Sequence, residues 1–482
     1  MNAIIISAVL GVVMMFSSVL VKDRKVYKGI ALAGLLVLLF ANIYETYNGP
    51  FFDIDSYGML DFDGFGLFFN TIAIVCTGVY FVLTGRQMEK VGSHTAEYFA
   101  LIFFVLCGAA ILSSYDNLLM LFVGIEILSI PLYILTGANK KNLKSNEAAL
   151  KYFLMGSFST GLMLMGIALI YGGTGSFGLE RTLPAATSSL GADAKALGST
   201  LSFLDVGGML LLTFSLAFKV SAAPFHFWTP DVYDGAPSIF TSFMASVVKA
   251  SAFVAFLKLF MARAAATSVD INKAIGVDWQ MVLSILIVCT LLVGNVTAVR
   301  QQSVKRMLAY SSIAQAGFML FAIFSLNNTA REGILLYAFA YSLATIGIFA
   351  ILSSMKDYTF EGYNGLAKAH PTLAFANTVF LLSLVGIPLT VGFFAKYYML
   401  ASVMQTGHYM WLVIVGVLFA AVSASYYFRV IQAMYFKNAA TTNDGHLEEM
   451  PGSTFKTALV ILAIVIILAG IFPQWVLNWL YI

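Results

Sequence analysis

The sequence predicts an all-α, polytopic membrane protein with about fourteen transmembrane helices. Of its 482 residues, 60% are hydrophobic and only 11% are charged, and the mean hydropathy is +0.87. Apolar residues run unbroken for roughly 20 positions at a time, the length that crosses the hydrocarbon core of a bilayer. Because backbone groups in that core can bond only to one another, segments of this length are expected to be helices.

The apolar runs between polar breaks define the predicted helices in chain order. The first run, 3–21, is followed by basic residues, which reverses the charge order of a cleavable signal peptide, so we expect it to stay as the first helix. The further predicted helices are 28–47, 63–84, 96–113, 115–138, 148–172, 203–224, 236–262, 279–299, 304–325, 331–354, 372–402, 409–436 and 455–479. The longest predicted loops are 49–61, 174–201 and 437–454, and no soluble domain is expected between the helices.

The distribution of lysine and arginine predicts how the chain crosses the membrane. Alternate loops are rich in basic residues, such as Lys140, Lys141 and Lys144, and the loops between them are poor. The positive-inside rule places the basic side in the cytoplasm. Both termini are then predicted on the periplasmic side of a bacterial inner membrane, which requires an even number of helices.

The rest of the composition argues against cofactor chemistry in this chain. A net charge of +3 gives no reason to expect a nucleic-acid partner. Cys76, Cys107 and Cys289 lie far apart inside apolar segments, without the spacing of an iron–sulfur or zinc site. The five histidines form no i,i+4 pair that would bind a metal or haem. We therefore expect no bound cofactor.

Ionisable residues inside the predicted spans are the strongest functional signal. The charged residues that lie more than four positions from a span end are Glu126, Lys219, Lys249, Lys396 and Arg429. A charge near the bilayer centre costs roughly 2.5–3.5 kcal/mol, so each one needs a function or a partner. A long side chain near a helix end can instead reach the membrane surface, which suits Arg429 and stays an open alternative for Lys396. Glu126 is too short and too deep for that explanation.

The residue types favour proton transfer over a fixed charge. Burial moves the pKa values of lysine and glutamate toward neutral pH, so that both types can change protonation state, whereas arginine stays charged. A glutamate–lysine pair that forms and separates can therefore release a proton. We predict a proton pathway through Glu126, Lys219, Lys249 and Lys396.

Helix-breaking residues lie within about two turns of these charges, at Pro131, Pro224 and Gly386–Pro388. Broken membrane helices commonly line hydrated cavities or ion sites. The pattern predicts that the seventh and twelfth helices are broken. Membrane helices also contain proline without any such function, and that interpretation stays open.

The recurrence of a broken helix predicts two inverted five-helix repeats, helices 4–8 and 9–13. The predicted divisions are a three-helix segment at 1–94, a repeat at 95–262, a second repeat at 263–436, and a final loop and helix at 437–482. Each repeat is predicted to form a proton half-channel.

Three further polar residues support the predicted pathway. Gln315 is the deepest strong polar group of the tenth helix, where it bonds either a water chain or a neighbouring helix. His226 follows the first broken helix at the cytoplasmic mouth, where it either passes protons or packs the loop. Lys305 begins the tenth helix on the same side.

Five strings identify a resemblance that covers nearly the whole chain. GIEILSIPLYILTG, EAALKYF, FKVSAAPFHFWTPDVYDGAP, VKRMLAYSSIAQAGF and GIPLTVGFFAKYYML closely resemble the subunit N family of bacterial NADH:quinone oxidoreductase, respiratory complex I. The wider family includes multisubunit cation/proton, Mrp-like, antiporters. The form WTPDVYDGAP is closer to the subunit N family.

The resemblance implies a subunit that moves protons from the cytoplasm to the outside, coupled to quinone reduction elsewhere in the complex. It implies that Glu126 pairs with Lys219, that Lys249 is the central relay, and that Lys396 releases the proton outward. His226 matches the histidine of the family's loop motif.

The implied partners are the neighbouring membrane subunits of the complex and the lipid bilayer, and the chain would hold no flavin, iron–sulfur cluster or nicotinamide. A subunit of an Mrp-like antiporter and a quinone-binding chain are the alternatives.

Overall fold

The computed structural model describes residues 1–21, 23–52, 54–179, 192–266, 278–438, 447–448 and 452–478. The long helices before the first break are α1 (Asn2–Leu20), α2 (Arg24–Asn48), α3 (Gly64–Val91), α4 (Thr95–Ser114), α5 (Leu118–Thr136), α6 (Leu143–Thr174) and α7 (Ala192–Lys219). A short helix, α8 (Trp228–Gly235), follows. The next helix, α9, consists of Ser238–Phe243, a π-helical turn at Met244–Val248, and Lys249–Ala266.

The second part of the chain has the same character. Its helices are α10 (Trp279–Arg300), α11 (Val304–Ser325), α12 (Asn328–Leu352), α13 (Pro371–Val385), α14 (Val391–Met404), α15 (Met410–Phe436) and α16 (Ser453–Ile471). Short helical turns lie at Glu361–Tyr363, Leu366–Ala369 and Gln474–Leu477. In the described residues, strand pairing is limited to isolated bridges.

The membrane fold predicted from the sequence is confirmed. Twelve of the described helices, α1–α6, α9–α12, α15 and α16, are long and apolar enough to span a membrane. Helices α13 and α14 are shorter apolar helices that together correspond to the predicted twelfth segment. Helix α7 corresponds to the seventh, so each predicted segment has a counterpart. Residues 53, 180–191, 439–446 and 449–451 of the longest predicted loops, and the predicted helix end at residue 479, lie outside the described residues.

Side-chain caps fix where several helices begin. The side chains of Asp63, Asn117, Ser303 and Asn327 accept hydrogen bonds from backbone N–H groups in the first turns of α3, α5, α11 and α12. Each cap satisfies one of the N–H groups that lack a partner at a helix start. These caps place the helix starts in the short polar connections that the hydropathy pattern predicts.

Two details of the prediction are wrong. Residues 192–201 were expected in a loop but are helical, because helix α7 extends beyond the apolar run that defines the membrane span. Pro131 was expected to break its helix, but α5 continues through it to Thr136. A proline removes a single backbone hydrogen bond, and the surrounding helices hold the rest of α5 in place.

The breaks predicted in the seventh and twelfth helices are confirmed. Helix α7 ends at Lys219, and Ser221 in the following turn has a φ of 65°. Helix α13 ends before Gly386, whose φ is 88°, and Leu389 in that turn has a φ of 77°. A non-glycine residue in the left-handed region is uncommon, and both breaks contain one.

Helices α9, α11 and α12 form the buried centre of the molecule. Helices α1, α2, α6, α15 and α16 lie at the periphery and expose large apolar side chains, such as Phe16, Phe40, Phe158 and Leu418. This arrangement is typical of a membrane protein, whose outer surface faces lipid or other membrane subunits. A buried ion pair between Arg263 Nη2 and Asp205 Oδ1, 2.6 Å apart, joins α9 to α7.

Candidate proton pathway

Lys219 and Glu126 lie near each other but do not form a direct ion pair. Lys219 is the last residue of α7, and its Nζ donates hydrogen bonds to Ser129 Oγ at 3.0 Å and Tyr133 Oη at 3.5 Å. Glu126, Ser129 and Tyr133 share one face of α5 because they are spaced by three and four residues. The half-buried Glu126 carboxylate interacts electrostatically with both Lys219 and Tyr133. The Lys219 ammonium therefore bonds to two hydroxyl groups that lie on the same face of α5 as Glu126.

Lys249 lies in the buried centre and follows directly on the π-helical turn of α9. Only 2% of its surface is exposed. Its Nζ donates to the carbonyl of Ser312 at 2.9 Å and to the Ser312 Oγ at 2.5 Å. Tyr341 Oη donates to the same Oγ at 2.9 Å, and the Tyr233 ring centre is 5.9 Å from the ammonium. Ser312 thus joins the lysine of α9 to a tyrosine of α12.

Gln315 continues this polar line one helical turn further along α11. Tyr337 donates to Gln315 Oε1, and Gln315 Nε2 donates to the Leu384 carbonyl at 2.9 Å and to Tyr427 Oη at 3.1 Å. Tyr337 and Tyr341 are one turn apart on α12, with ring centres separated by 6.3 Å. Of the two interpretations of Gln315, these contacts favour a link to neighbouring helices.

Lys396 lies at the broken twelfth segment and is 6% exposed. Its Nζ donates to the carbonyls of Leu384 and Val385, both at 2.8 Å, and lies 4.6 Å from the centre of the Phe318 ring. The Leu384 carbonyl therefore accepts from Gln315 and from Lys396.

The polar line from Lys249 to Lys396 therefore consists of two hydrogen-bonded groups. Lys249, Ser312 and Tyr341 form the first, and Tyr337, Gln315, the Leu384 carbonyl and Lys396 form the second. The Tyr341 and Tyr337 rings, with centres 6.3 Å apart, lie between the two groups.

Lys305 lies beside a cavity of about 490 Å³ on the predicted cytoplasmic side. Its Nζ donates to the carbonyls of Asp234 and Ala236 at 2.8 and 2.7 Å, at the end of α8. The cavity is lined by Lys90, Asn142 and Lys144 among others. Lys305 therefore joins the end of α8 to the start of α11.

Asp231 holds α8 to two other helices. Its carboxylate accepts from Lys151 Nζ of α6 at 2.9 Å and from Arg306 Nη2 of α11 at 3.1 Å. Burial acts to raise the pKa of Asp231, but the two cationic partners outweigh it and hold that pKa below its ordinary value. Asp231 is therefore a charged anchor between the first and second predicted repeats.

His226 is half-buried in the turn between α7 and α8, next to Phe227. Burial lowers the pKa of His226 below its ordinary value and outweighs a favourable contact with the backbone of Pro224. The imidazole is thus more readily neutral near pH 7 than a free histidine. Both interpretations of His226 stay open, as a proton-transfer group and as a packing residue.

Several residues of the candidate pathway were not predicted from the sequence. They are Ser129, Tyr133, Ser312, Tyr337, Tyr341 and Tyr427. Serine and tyrosine are common in membrane helices and carry no charge at neutral pH, so a search for buried charges passes over them. The spacing of Ser311, Ser312 and Gln315 on one helix is the one available signal, since it places polar groups on a shared face.

Two broken helices with a lysine at each break, and a buried polar line that leads from Lys249 to the second of these lysines, define this chain as an antiporter-like membrane protein. The family described as NADH:quinone oxidoreductase/Mrp antiporter, TM, matches residues 115–423. A "NADH-quinone oxidoreductase subunit N" of Cytophaga hutchinsonii is 38% identical, over 99% of each chain. Another of Trichlorobacter lovleyi is 40% identical, over 86% of this chain and 82% of its own. The chain belongs to the NADH-quinone oxidoreductase subunit N family.

Solved structures are similar over the same length. A chain of respiratory complex I from Thermus thermophilus is 30% identical, with a TM-score of 0.79, over 99% of both chains. A chain of the Mrp complex from Dietzia sp. has a TM-score of 0.78 over 99% of this chain and 96% of its own, but is only 17% identical. The similarity to the Mrp chain therefore shows only that the two proteins share a fold.

Proposed function

We propose that this chain is the proton-translocating membrane subunit of an NADH:quinone oxidoreductase. It moves protons from the cytoplasm to the outside, driven by quinone reduction elsewhere in the complex. The observation that carries the proposal is the polar line from Lys249 through Ser312, Tyr341, Tyr337 and Gln315 to the carbonyl that binds Lys396. A proton relay is built from buried groups that can both donate and accept a hydrogen bond.

In this proposal protons reach the line from the first repeat. Lys219 is hydrogen-bonded to Ser129 and Tyr133, and it interacts electrostatically with Glu126 without a direct contact. A small movement of α5 against α7 would make or weaken that interaction. Such a pair can therefore hold or release a proton as neighbouring subunits change conformation.

The proposal includes the arrangement of the chain in the membrane. The two inverted repeats, 95–262 and 263–436, are supported by a break at the end of α7 and another at the end of α13. The basic loops support a bacterial inner membrane location with both termini on the periplasmic side. The identity of 38–40% to subunit N relatives favours the oxidoreductase over an Mrp-like antiporter. We assign no cofactor to this chain.

Replacement of Lys249 tests the proposal. Lys249→Ala removes the central relay, and Lys249→Arg keeps a positive charge that cannot release a proton at accessible pH. We expect both variants of the assembled complex, reconstituted in vesicles, to lose most NADH-driven proton pumping. Lys258→Ala is the matched control, because Lys258 lies on the same helix but outside the polar line: its Nζ contacts two backbone carbonyls, at 3.3 and 3.5 Å, and the ring of Tyr115. Full pumping by Lys249→Arg would show that Lys249 is a fixed charge and refute the relay.

A further inference from the structure

The end of α13 offers two backbone carbonyls that the helix itself does not use. The carbonyl of Leu384 would ordinarily accept from the N–H four residues later, but that residue is Pro388, which has no N–H. The N–H of Gly386 bonds to earlier carbonyls of α13. Within the described residues, side chains are therefore the partners of the Leu384 and Val385 carbonyls, and Lys396 Nζ contacts both at 2.8 Å.

The surroundings of this ammonium are those of a bound monovalent cation. Two carbonyl oxygens at a helix C-terminus present partial negative charge, and the face of the Phe318 ring adds more. Lys396 takes part in none of the carboxylate ion pairs formed by the described residues. Unwound backbone and half-helix C-termini coordinate Na⁺ in transporters by the same physical means.

Space and further oxygen atoms adjoin the ammonium. A cavity of about 10 Å³, enough for the centre of roughly one water molecule, is bordered by Lys396, Gln315, Tyr337 and Ser383. The hydroxyl groups of Tyr337 and Ser383 are two further oxygen atoms beside the two carbonyls, whereas the Gln315 amide presents its N–H to the Leu384 carbonyl.

The same contact pattern occurs at the end of the short helix α8. Lys305 Nζ donates to the carbonyls of Asp234 and Ala236 at the end of α8, and it faces the ring of Tyr358 at 5.5 Å. Lys249 differs, because it contacts a single backbone carbonyl. The half-buried Lys258 has a looser form of the pattern, with two carbonyls at 3.3 and 3.5 Å and the Tyr115 ring at 5.9 Å. Lys396 and Lys305 differ from it because both carbonyls belong to one helix end and lie within 2.8 Å.

We propose that the ammonium of Lys396 is a tethered cation, which fills a monovalent cation site and so keeps Na⁺ and K⁺ out of the outward half of the pathway. This inference rests on the proposed function, and it names the residue that makes the proposed pathway selective for protons. When the ammonium gives its proton to an outward water molecule, the neutral amine still has two N–H donors for the two carbonyls. The site therefore stays filled through the whole cycle.

Two substitutions that remove the same charge but leave different space test the inference. Lys396→Ala opens the site, whereas Lys396→Met fills it with an apolar chain of similar length. Binding of ²²Na⁺ and ⁸⁶Rb⁺, the latter standing for K⁺, is measured on purified complexes in choline buffer. We expect Lys396→Ala to retain about tenfold more of one of these cations than the unmodified complex or Lys396→Met. Lys249→Ala is the control, because it removes a buried lysine without a carbonyl pair.

The outcomes separate this inference from the proposed function. Both Lys396 variants should lose pumping if the pathway is right; normal pumping by both would refute the pathway. No cation binding by Lys396→Ala, or equal binding by Lys396→Met, would overturn the tethered cation. Lys396→Ser replaces the alanine variant if that one fails to assemble. Pumping by the unmodified complex should also be the same in Na⁺, K⁺ and choline media, and inhibition by either metal ion would overturn the inference without any variant.

Discussion

Gly392 offers a test of the Lys396 site that leaves every polar group in place. It lies in the first turn of α14, where the two halves of the broken helix pack against each other. A Cβ added at Gly392 would lie 2.7 Å from the carbonyl carbon of Ser383 and 2.9 Å from its Oγ, and closer still to its carbonyl oxygen. Ordinary van der Waals contact begins at 3.4 Å. The backbone of α13 would thus have to move by about 0.7 Å or more, next to the carbonyls of Leu384 and Val385.

The size of the effect follows from this displacement. Overpacking of a buried contact costs about 1–3 kcal/mol, which a large membrane protein tolerates. A misplacement near 1 Å can lower the rate of a positioned reaction about a hundredfold. We therefore expect Gly392→Ala to assemble and to lower proton pumping by about tenfold or more, without changing the acid–base groups.

The assay is NADH-driven acidification of vesicles that contain the reconstituted complex, normalised to the amount assembled. Gly161→Ala on α6 is the control, because no atom beyond the adjoining backbone of its own helix lies within 4 Å of an added Cβ. Parent-like pumping by an assembled Gly392→Ala complex would show that the packing of α13 on α14 does not position the carbonyls for Lys396, and the reasoning would be refuted.

Three further substitutions test other parts of the line by the same pumping assay. Glu126→Ala should lower pumping while the complex assembles, because the direct ion pairs among the described residues do not include this carboxylate and none is broken by its loss; undiminished pumping would remove Glu126 from the pathway. Ser312→Ala keeps the backbone contact of the central lysine but cuts its hydroxyl link, so we expect a severalfold loss, with Ser325→Ala on the same helix as the control that should not change pumping. The glutamate of Lys396→Glu would face two carbonyls, which favour a protonated carboxyl group that can donate one hydrogen bond. We therefore expect Lys396→Glu to pump less than the parent and more than Lys396→Ala. Equal pumping by the three would exclude residue 396 from the proton pathway.

The sequence by itself determined the membrane class, the helices and the buried charges. Hydropathy is a local property, since a run of about 20 apolar residues must be a helix in lipid whatever its neighbours are. The cost of a charge in that environment also marks a single residue without any knowledge of its contacts. For the same reason Pro224 and Gly386 could be interpreted as break sites, because each limits its own backbone.

Only the tertiary structure decided how these residues are connected. Lys249 contacts Ser312, 63 positions away, and Gln315 contacts the Leu384 carbonyl, 69 positions away. No local pattern specifies such pairs, because uncharged serine, tyrosine and backbone carbonyl groups occur throughout membrane helices.

The structure also decided where a local signal was insufficient. Pro131 carries the same local signal as Pro224, yet α5 continues through it. The family resemblance implied that Glu126 pairs with Lys219, whereas the structure places Ser129 and Tyr133 at the ammonium. The physical reason is the same in both cases: the packing of neighbouring helices selects which polar partner lies within hydrogen-bond distance and whether a weakened helix turn is held closed.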